Sequence, residues 1–366
     1  MPRREPARTE PARTEAVIEG IGGCLPPRSV DNDEIAERLD TSDGWIRSRT
    51  GIARRRSVDT GTATSDLAVA AGRAALKSAR VDGADLVIVA TTTPDHRCPS
   101  TAPDVAARIG LGEVPAFDLN AVCSGFVYAL AVAAAQIRAG AYRRVLVIGA
   151  DTYTTIVDPD DRVTAPIFGD GAGAVLIRRG EPGEPGAVVA TELGSAGSGR
   201  EAAIVPAGGS RTPDISDDRS RFLHLNGRQT YLEAVERMSA ATRAVLARAG
   251  WETADLVAFV AHQANQRILD AVGERLGVSE PHRVTNIRNL GNTAAASIPL
   301  AMVHAADRQA VTPGSRTALA AFGGGLTWGA VALTWPAADP IMLDPAGDHG
   351  PAGEPSRSTE EKEKSS

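Results

Sequence analysis

The sequence predicts an α/β layered fold assembled from a unit that occurs twice. Three observations carry that expectation. Short β-rich runs alternate with alanine-rich helical ones through most of the chain, as they do where sheets are covered by helices. Two pairs of runs then recur in the same order. "ADLVIVATTTPDH" (residues 84–96) resembles "ADLVAFVAHQANQ" (254–266), with Asp85 and Asp255 170 positions apart, and "RVLVIGAD" (144–151) resembles "RTALAAFGGG" (316–325) at an offset of 172. Buried strands share Val, Ile and Leu by chance, but two ordered matches at nearly one offset indicate duplication. Third, a stretch rich in Gly, Ser, Pro and Asp (195–221) separates the copies. The predicted organisation is a disordered arm (1–15), a first half (16–194), a connecting segment (195–221), a second half (222–337) and a disordered tail (338–366).

The arm, "MPRREPARTEPARTE", repeats EPART and has no apolar centre, which argues against a secretory signal or membrane anchor. The tail is Pro, Gly, Ser and charge with little to bury. No apolar run approaches the ~20 residues that span a bilayer. A formal net charge of -6 over 366 residues argues against nucleic-acid binding as the default. The three cysteines, Cys24, Cys98 and Cys123, have neither disulfide-framework nor zinc spacing, and a reducing cytoplasm is expected.

In chain order, the first chemical candidate is Cys123, where the strand-like "VPAFDLN" (114–120) gives way to the uncharged "LNAVCSGFVYALAVAAAQI" (119–137). A thiol at such an elbow meets a helix N-terminus, which favours thiolate and hence nucleophilic attack; a small buried hydrophobe is the ordinary alternative. Ser124 and Gly125 are small, as a tight elbow needs. His262 ends the apolar run "DLVAFVA", and strand ends in α/β sheets are where reactive groups collect, although a satisfied core histidine fits too. Asn292, between a glycine turn and the small residues of "NLGNTAAASIP", reads alone as a helix N-cap. "FGDGAGAVLI" (168–177) lacks the Lys-Ser/Thr of a phosphate loop and leads into a strand. "FGGG" (322–325) follows a strand and could present backbone N–H groups as an oxyanion hole or form a plain turn.

Taken together, AVCSGF around Cys123, AHQAN around His262, GNTAAASIP around Asn292, IFGDGAGA and AFGGGLTWG resemble the β-ketoacyl-acyl carrier protein synthase III family of the thiolase fold, over residues 16–335. The resemblance implies two pseudo-symmetric α/β halves in a five-layered α-β-α-β-α core. It implies that Cys123 accepts an acyl group from acyl-CoA, and that malonyl-acyl carrier protein then loses carbon dioxide and attacks the thioester. His262 and Asn292 would stabilise the enolate, the N–H groups of Cys123 and Gly324 the tetrahedral oxyanion, and Phe322 would shape the pocket. By the same likeness Trp45, Arg49, Arg162 and Asn265 contact CoA, and Arg267 with Arg54, Arg55 and Arg56 meets an acidic carrier; a solvated face is the bland reading of those arginines.

Two departures stand out. Cys98 in "HRCPS" occupies a place where the family often has an aromatic residue, contributed across a homodimer to the floor of the partner's acyl pocket. The freed volume predicts a primer larger than acetyl. Val163 stands where glycine is common beside the pantetheine channel. No metal or prosthetic group is expected, and no nucleic-acid or membrane partner. The competing readings are an acyltransferase passing the group from Cys123 to an alcohol or amine, and a non-catalytic partner subunit.

Overall fold

The structure, a computed structural model, describes residues 14–215, 217–307 and 311–345, the side chain of Asp307 excepted; nearly all of the predicted arm and most of the predicted tail lie outside the described residues. The first part of the chain contributes β1 (Glu15–Cys24), β2 (Arg28–Asp31), α1 (Asn32–Ala36), α2 (Asp43–Thr50), β3 (Arg54–Ser57), α3 (Thr64–Ala79), β4 (Leu86–Ala90), α4 (Thr101–Ile109), β5 (Ala116–Leu119), α5 (Gly125–Arg138), β6 (Arg144–Asp151) and β7 (Gly171–Gly180). The second contributes β8 (Val188–Ser195), β9 (Ala203–Ile204), β10 (His224–Leu225), α6 (Gly227–Ala249), β11 (Ala258–Ala261), α7 (Gln266–Leu276), α8 (Ile287–Leu290), α9 (Ser297–Asp307), β12 (Arg316–Gly323), β13 (Thr327–Thr334) and β14 (Ile341–Leu343).

Two sheets carry the architecture, one in the order β14-β1-β7-β6-β4-β5 and the other β11-β12-β13-β8. Helices α5 and α9 lie between them in one apolar cluster with both inner sheet faces. Their composition explains that position: GFVYALAVAAAQIR in α5 is small and apolar on nearly every side, as a helix pressed from two directions must be. Helices α3 and α4 cover the outside of the first sheet, and α6 and α7 the outside of the second. The result is the five-layered α-β-α-β-α arrangement that the family resemblance implies.

The duplication is visible in the hydrogen bonds. The N–H of Asp85 donates to the Arg144 carbonyl and the N–H of Val257 to the Arg316 carbonyl, both at 2.9 Å, so the equivalence runs at 172 positions throughout. The Ala-Asp-Leu-Val match that paired Asp85 with Asp255 is therefore two residues out of register. Strand order and sense agree as well, because β1-β7-β6-β4 in one sheet corresponds to β8-β13-β12-β11 in the other.

Two predicted boundaries move. Residues 188–194, assigned from sequence to the first half, form most of β8, which pairs antiparallel with β13 in the second sheet. Residues 341–343, assigned to the disordered tail, form β14, which pairs parallel with Gly22–Cys24 of β1. Both errors have one cause: a run of apolar residues reveals a strand but not the sheet whose edge it completes.

Candidate active site

Cys123 sits in a single 3-10 turn (Val122–Ser124) that leads directly into α5. The turn is held tightly. The Ala121 carbonyl accepts from the Ser124 N–H at 3.1 Å, the Ser124 hydroxyl at 2.8 Å and the Thr327 hydroxyl at 2.9 Å. Val122 adopts φ 50°, a left-handed conformation unfavourable for a β-branched residue, and its N–H is held by Asn120 Oδ1 at 3.1 Å. Such strain is kept where the surroundings over-determine it, and here it turns the thiol into the cleft. Burial pushes the Cys123 thiol up to about 12, the Asp151 carboxylate adds to this and a backbone hydrogen bond opposes it. The helix N-terminus anticipated from sequence is present, but desolvation outweighs it.

His262 follows β11, its N–H donating to the Ala320 carbonyl at 2.8 Å. Its Nδ1 lies 2.7 Å from Ser297 Oγ at the start of α9. Burial lowers the imidazole to about 3, so the ring is neutral near neutral pH. Asn292 is fixed through both backbone and side chain: its N–H donates to the Ile167 carbonyl at 2.9 Å, its carbonyl accepts from Gly169 at 3.0 Å, and its Oδ1 accepts from the Ala294 N–H at 2.9 Å. With Oδ1 engaged, the Nδ2 amide is the end left to the cleft.

The 172-residue equivalence extends to the site, which the sequence comparison did not reveal. Asn120 and Asn292 make the same bond to the residue two positions on. Val122 at φ 50° corresponds to Ala294 at φ 46°, and each opens a 3-10 turn that leads into an inner helix. Cys123 thus corresponds to Ala295, His262 to Ala90 and Ser297 to Gly125. A Cβ on Gly125 would lie 3.2 Å from Ala90 Cβ and 3.6 Å from Ala295 Cβ, so the mate of the site is packed shut with small groups. Asp151 corresponds to Gly323. Asp151 is fully buried, held up to about 6 by desolvation against several hydrogen bonds, and its Oδ2 accepts the Ala295 N–H at 2.9 Å. At Gly323 there is no such acceptor; a Cβ there would lie only 2.8 Å from the Cys123 nitrogen. The missing side chain leaves the Cys123 N–H available.

A cleft of about 360 Å³ contains the convergence point, within the range of small-molecule sites. Cys123, His262, Asn292, Phe322, Gly323 and Gly324 line it, with Arg49, Asn265 and Arg267 among its other walls. Asn265 caps α7, accepting from the Arg267 N–H at 2.9 Å and donating to the Arg49 carbonyl at 3.1 Å. The guanidinium carbons of Arg49 and Arg162 lie 4.6 and 4.4 Å from the Trp45 ring centroid, a cation–π arrangement on an exposed surface.

The structure corrects one assignment outright. Arg55 is 2% exposed and donates to the carbonyls of Val30 (3.2 Å) and Pro166 (2.7 Å) and to Asn32 Oδ1 (2.8 Å), so it braces the β2–β3 hairpin and has no surface to offer a carrier. Arg56 is half-buried and donates to the Pro27 carbonyl at 3.0 Å, while Arg54 and Arg267 are exposed. Cys98 and Val163 are both exposed and outside the lining of this chain's cleft. Sequence reading missed Arg228 and Tyr153 in that lining and Ser297 behind His262. The strand-end reasoning applied to His262, extended to the end of β6, points to Asp151 and Tyr153.

The buried histidine has a consequence for stability. Its folded pKa lies below its unfolded value of about 6.5, so the unfolded state binds more protons as pH falls, and this contribution is full above that value and lost toward pH 3. Wild type is expected to lose about 2 kcal/mol more stability than His262→Asn between pH 7.5 and 5, read by denaturant melts. Asp151, raised to about 6, acts in the opposite sense between its unfolded pKa and that value, but it is common to both proteins and cancels. Equal losses in the two would refute a neutral buried imidazole.

Two duplicated halves, with a cysteine at the elbow of one and a histidine and asparagine from the other lining the same cleft, define a thiolase-fold enzyme of the acyl-transferring class. Comparison with known proteins narrows the class. The family models for 3-oxoacyl-acyl-carrier-protein synthase III and for its C-terminal region match residues 117–197 and 246–335. β-Ketoacyl-acyl-carrier-protein synthase III 2 of Streptomyces coelicolor is 55% identical over 330 residues, covering 90% of this chain and 97% of the relative. The crystal structure of the Pseudomonas aeruginosa synthase III superposes with a TM-score of 0.84 at 44% identity, over 89% of this chain and all of that one. A priming β-ketosynthase from a polyketide biosynthetic pathway gives 0.82 at 34% identity, over 90% and 99%. The chain belongs to the β-ketoacyl-acyl-carrier-protein synthase III family.

Proposed function

We propose that this enzyme starts fatty-acid or polyketide chains by condensing an acyl-CoA primer larger than acetyl with malonyl-acyl carrier protein, using Cys123, His262 and Asn292. The observation that carries the assignment of roles is the pair of neutral, pre-oriented groups beside the thiol. In the first stage Sγ of Cys123 forms a thioester with the acyl carbon, the CoA sulfur leaves, and the thiol proton ends on CoA. The N–H groups of Cys123 and Gly324 face the oxygen of that tetrahedral intermediate. In the second stage malonyl-carrier loses carbon dioxide, its thioester oxygen takes up enolate charge, and the Nε2–H of His262 and the Nδ2–H of Asn292 donate to it. The enolate carbon then bonds to the acyl carbon and expels the Cys123 thiolate, which takes a proton from solvent to replace the one that left on CoA. Ser297 suits the second stage, because its hydroxyl can donate to Nδ1 and so leave the imidazole proton on Nε2.

Further features support this reading of the substrates and partners. Trp45, Arg49 and Arg162 offer a stacking and cationic surface for the adenine nucleotide, Asn265 joins them at the cleft, and Arg267 with Arg54 offers charge to an acidic carrier. The apolar wall of Phe168, Leu223 and Phe322 suits an acyl group of several carbons. β5 ends its sheet, with Phe117 40% exposed, and the segment 96–100 that includes Cys98 is exposed throughout; a homodimer joined along that edge would bury both and bring Cys98 toward the partner's pocket. Among the described residues no helix is long and apolar enough to cross a membrane, and no group of three or more His, Cys, Asp or Glu is placed to hold a metal ion.

The test is intact-protein mass spectrometry with CoA thioesters from acetyl to octanoyl and branched forms, followed by malonyl-carrier. An adduct on Cys123 that malonyl-carrier discharges as a 3-oxoacyl product is the expected result. An adduct that is never discharged would overturn the condensing role.

A further inference from the structure

Tyr153, like Arg228, Thr230 and Tyr231, is a polar residue of the cleft lining that the reaction above leaves without work, and it is the one of these that packs in the apolar cluster against Cys123. It lies two residues beyond β6, 2% exposed, with its ring stacked on Phe168 at a centroid distance of 4.6 Å and an interplanar angle of 15°. It lines the cleft, yet its hydroxyl has no hydrogen-bond partner among the described residues. By contrast, Tyr128 donates to the Gly194 carbonyl at 2.7 Å, and Ser124, beside Cys123, donates to the Thr327 hydroxyl at 2.7 Å.

The surroundings say what that hydroxyl faces. Tyr153 packs in one apolar cluster with Val157, Phe168 and Leu223, and Cys123 itself lies against that cluster. The group that meets Tyr153 is thus the one the sulfur carries, rather than the nucleotide end of its donor. An unsubstituted hydrocarbon chain filling this wall would strip water from the phenol and leave it unpaired, an uncompensated cost. Phenylalanine would keep the stack on Phe168 without that cost. Burial also raises the hydroxyl well above 10, so it is a neutral donor at any working pH.

We propose that Tyr153 is a specificity-determining residue that selects an oxygenated primer, a hydroxyacyl or oxoacyl thioester, by donating its hydroxyl hydrogen to an oxygen on the acyl chain. The inference rests on the cleft being the acyl site of a condensing enzyme and names the class of primer for it. A site built to pair with a polar group discriminates strongly against the analogue that lacks it, whereas a merely apolar wall discriminates weakly.

The experiment compares wild type with Tyr153→Phe in the acylation of Cys123 by matched CoA thioesters: hexanoyl and octanoyl, each with its 2-, 3- and 4-hydroxy and 3-oxo counterparts. Wild type is expected to favour at least one oxygenated chain over its parent by about 10-fold in kcat/KM, the size of one satisfied buried hydrogen bond. Tyr153→Phe is expected to erase that ratio by slowing the oxygenated primer and quickening the parent, with an unchanged or raised Tm. Ratios that match in the two proteins, or a wild type that prefers every parent chain, overturn the proposal. A variant that melts lower also overturns it, since the hydroxyl would then have a structural partner. Discharge by malonyl-carrier is scored separately: selectivity without discharge counts against the condensing role alone, and discharge without selectivity against Tyr153 alone. An enzyme that no thioester acylates overturns both.

Discussion

Replacing Cys123 with alanine is expected to abolish the acyl-enzyme and to lower turnover by at least about 10⁴-fold, since no other described group in the cleft can exchange thioesters. His262→Ala and Asn292→Ala are expected to behave differently. Each should still form the adduct, because acylation uses the thiol and the backbone donors. Each should discharge it about 10²–10³-fold more slowly, the usual cost of removing one donor from a developing oxyanion. The two losses should not add, because the donors serve one oxygen. Intact mass at the acylation stage and timed product formation with malonyl-carrier separate these outcomes. An adduct in Cys123→Ala, or wild-type discharge in His262→Ala, would contradict the assigned roles.

Gly323→Asp should cost about 10²–10³-fold in the acylation of Cys123 while leaving a folded protein. The reason is the internal duplication. At the equivalent position Asp151 accepts the Ala295 N–H at 2.9 Å, and an aspartate at 323 would capture the Cys123 N–H in the same way. Its Cβ would begin 2.8 Å from that nitrogen and 3.0 Å from the Ser124 nitrogen, so the elbow must also shift. Gly323→Ala carries the crowding without the acceptor and should lose less. Acylation rates and thermal melts of both variants check this. Acylation of Gly323→Asp within tenfold of wild type would remove the Cys123 N–H from the oxyanion site.

The sequence by itself determined the layered α/β class and the duplication, both written in alternating strand and helix composition, and it singled out Cys123, His262 and Asn292 as candidates. Local chemistry left each an ordinary alternative, a buried hydrophobe, a core histidine and an N-cap, and the family resemblance supplied the roles proposed for them. The sequence also supplied the 172-residue offset, but only in one of its two matches. What the tertiary structure decided depends on contacts between distant segments. β8 joins β13 and β14 joins β1 because sheet edges select partners that a linear pattern does not encode. Arg55 looks identical in sequence to the exposed Arg54, yet strand alternation turns it inward toward Val30, Asn32 and Pro166. Tyr153 reads as an ordinary aromatic until folding places Phe168 on its ring and the cleft at its hydroxyl. The glycine at 323 differs in meaning from its neighbours only because its pseudo-symmetric mate is an aspartate. In each case the deciding quantity is which groups lose water and find partners in three dimensions, a property of the packed chain rather than of any stretch along it.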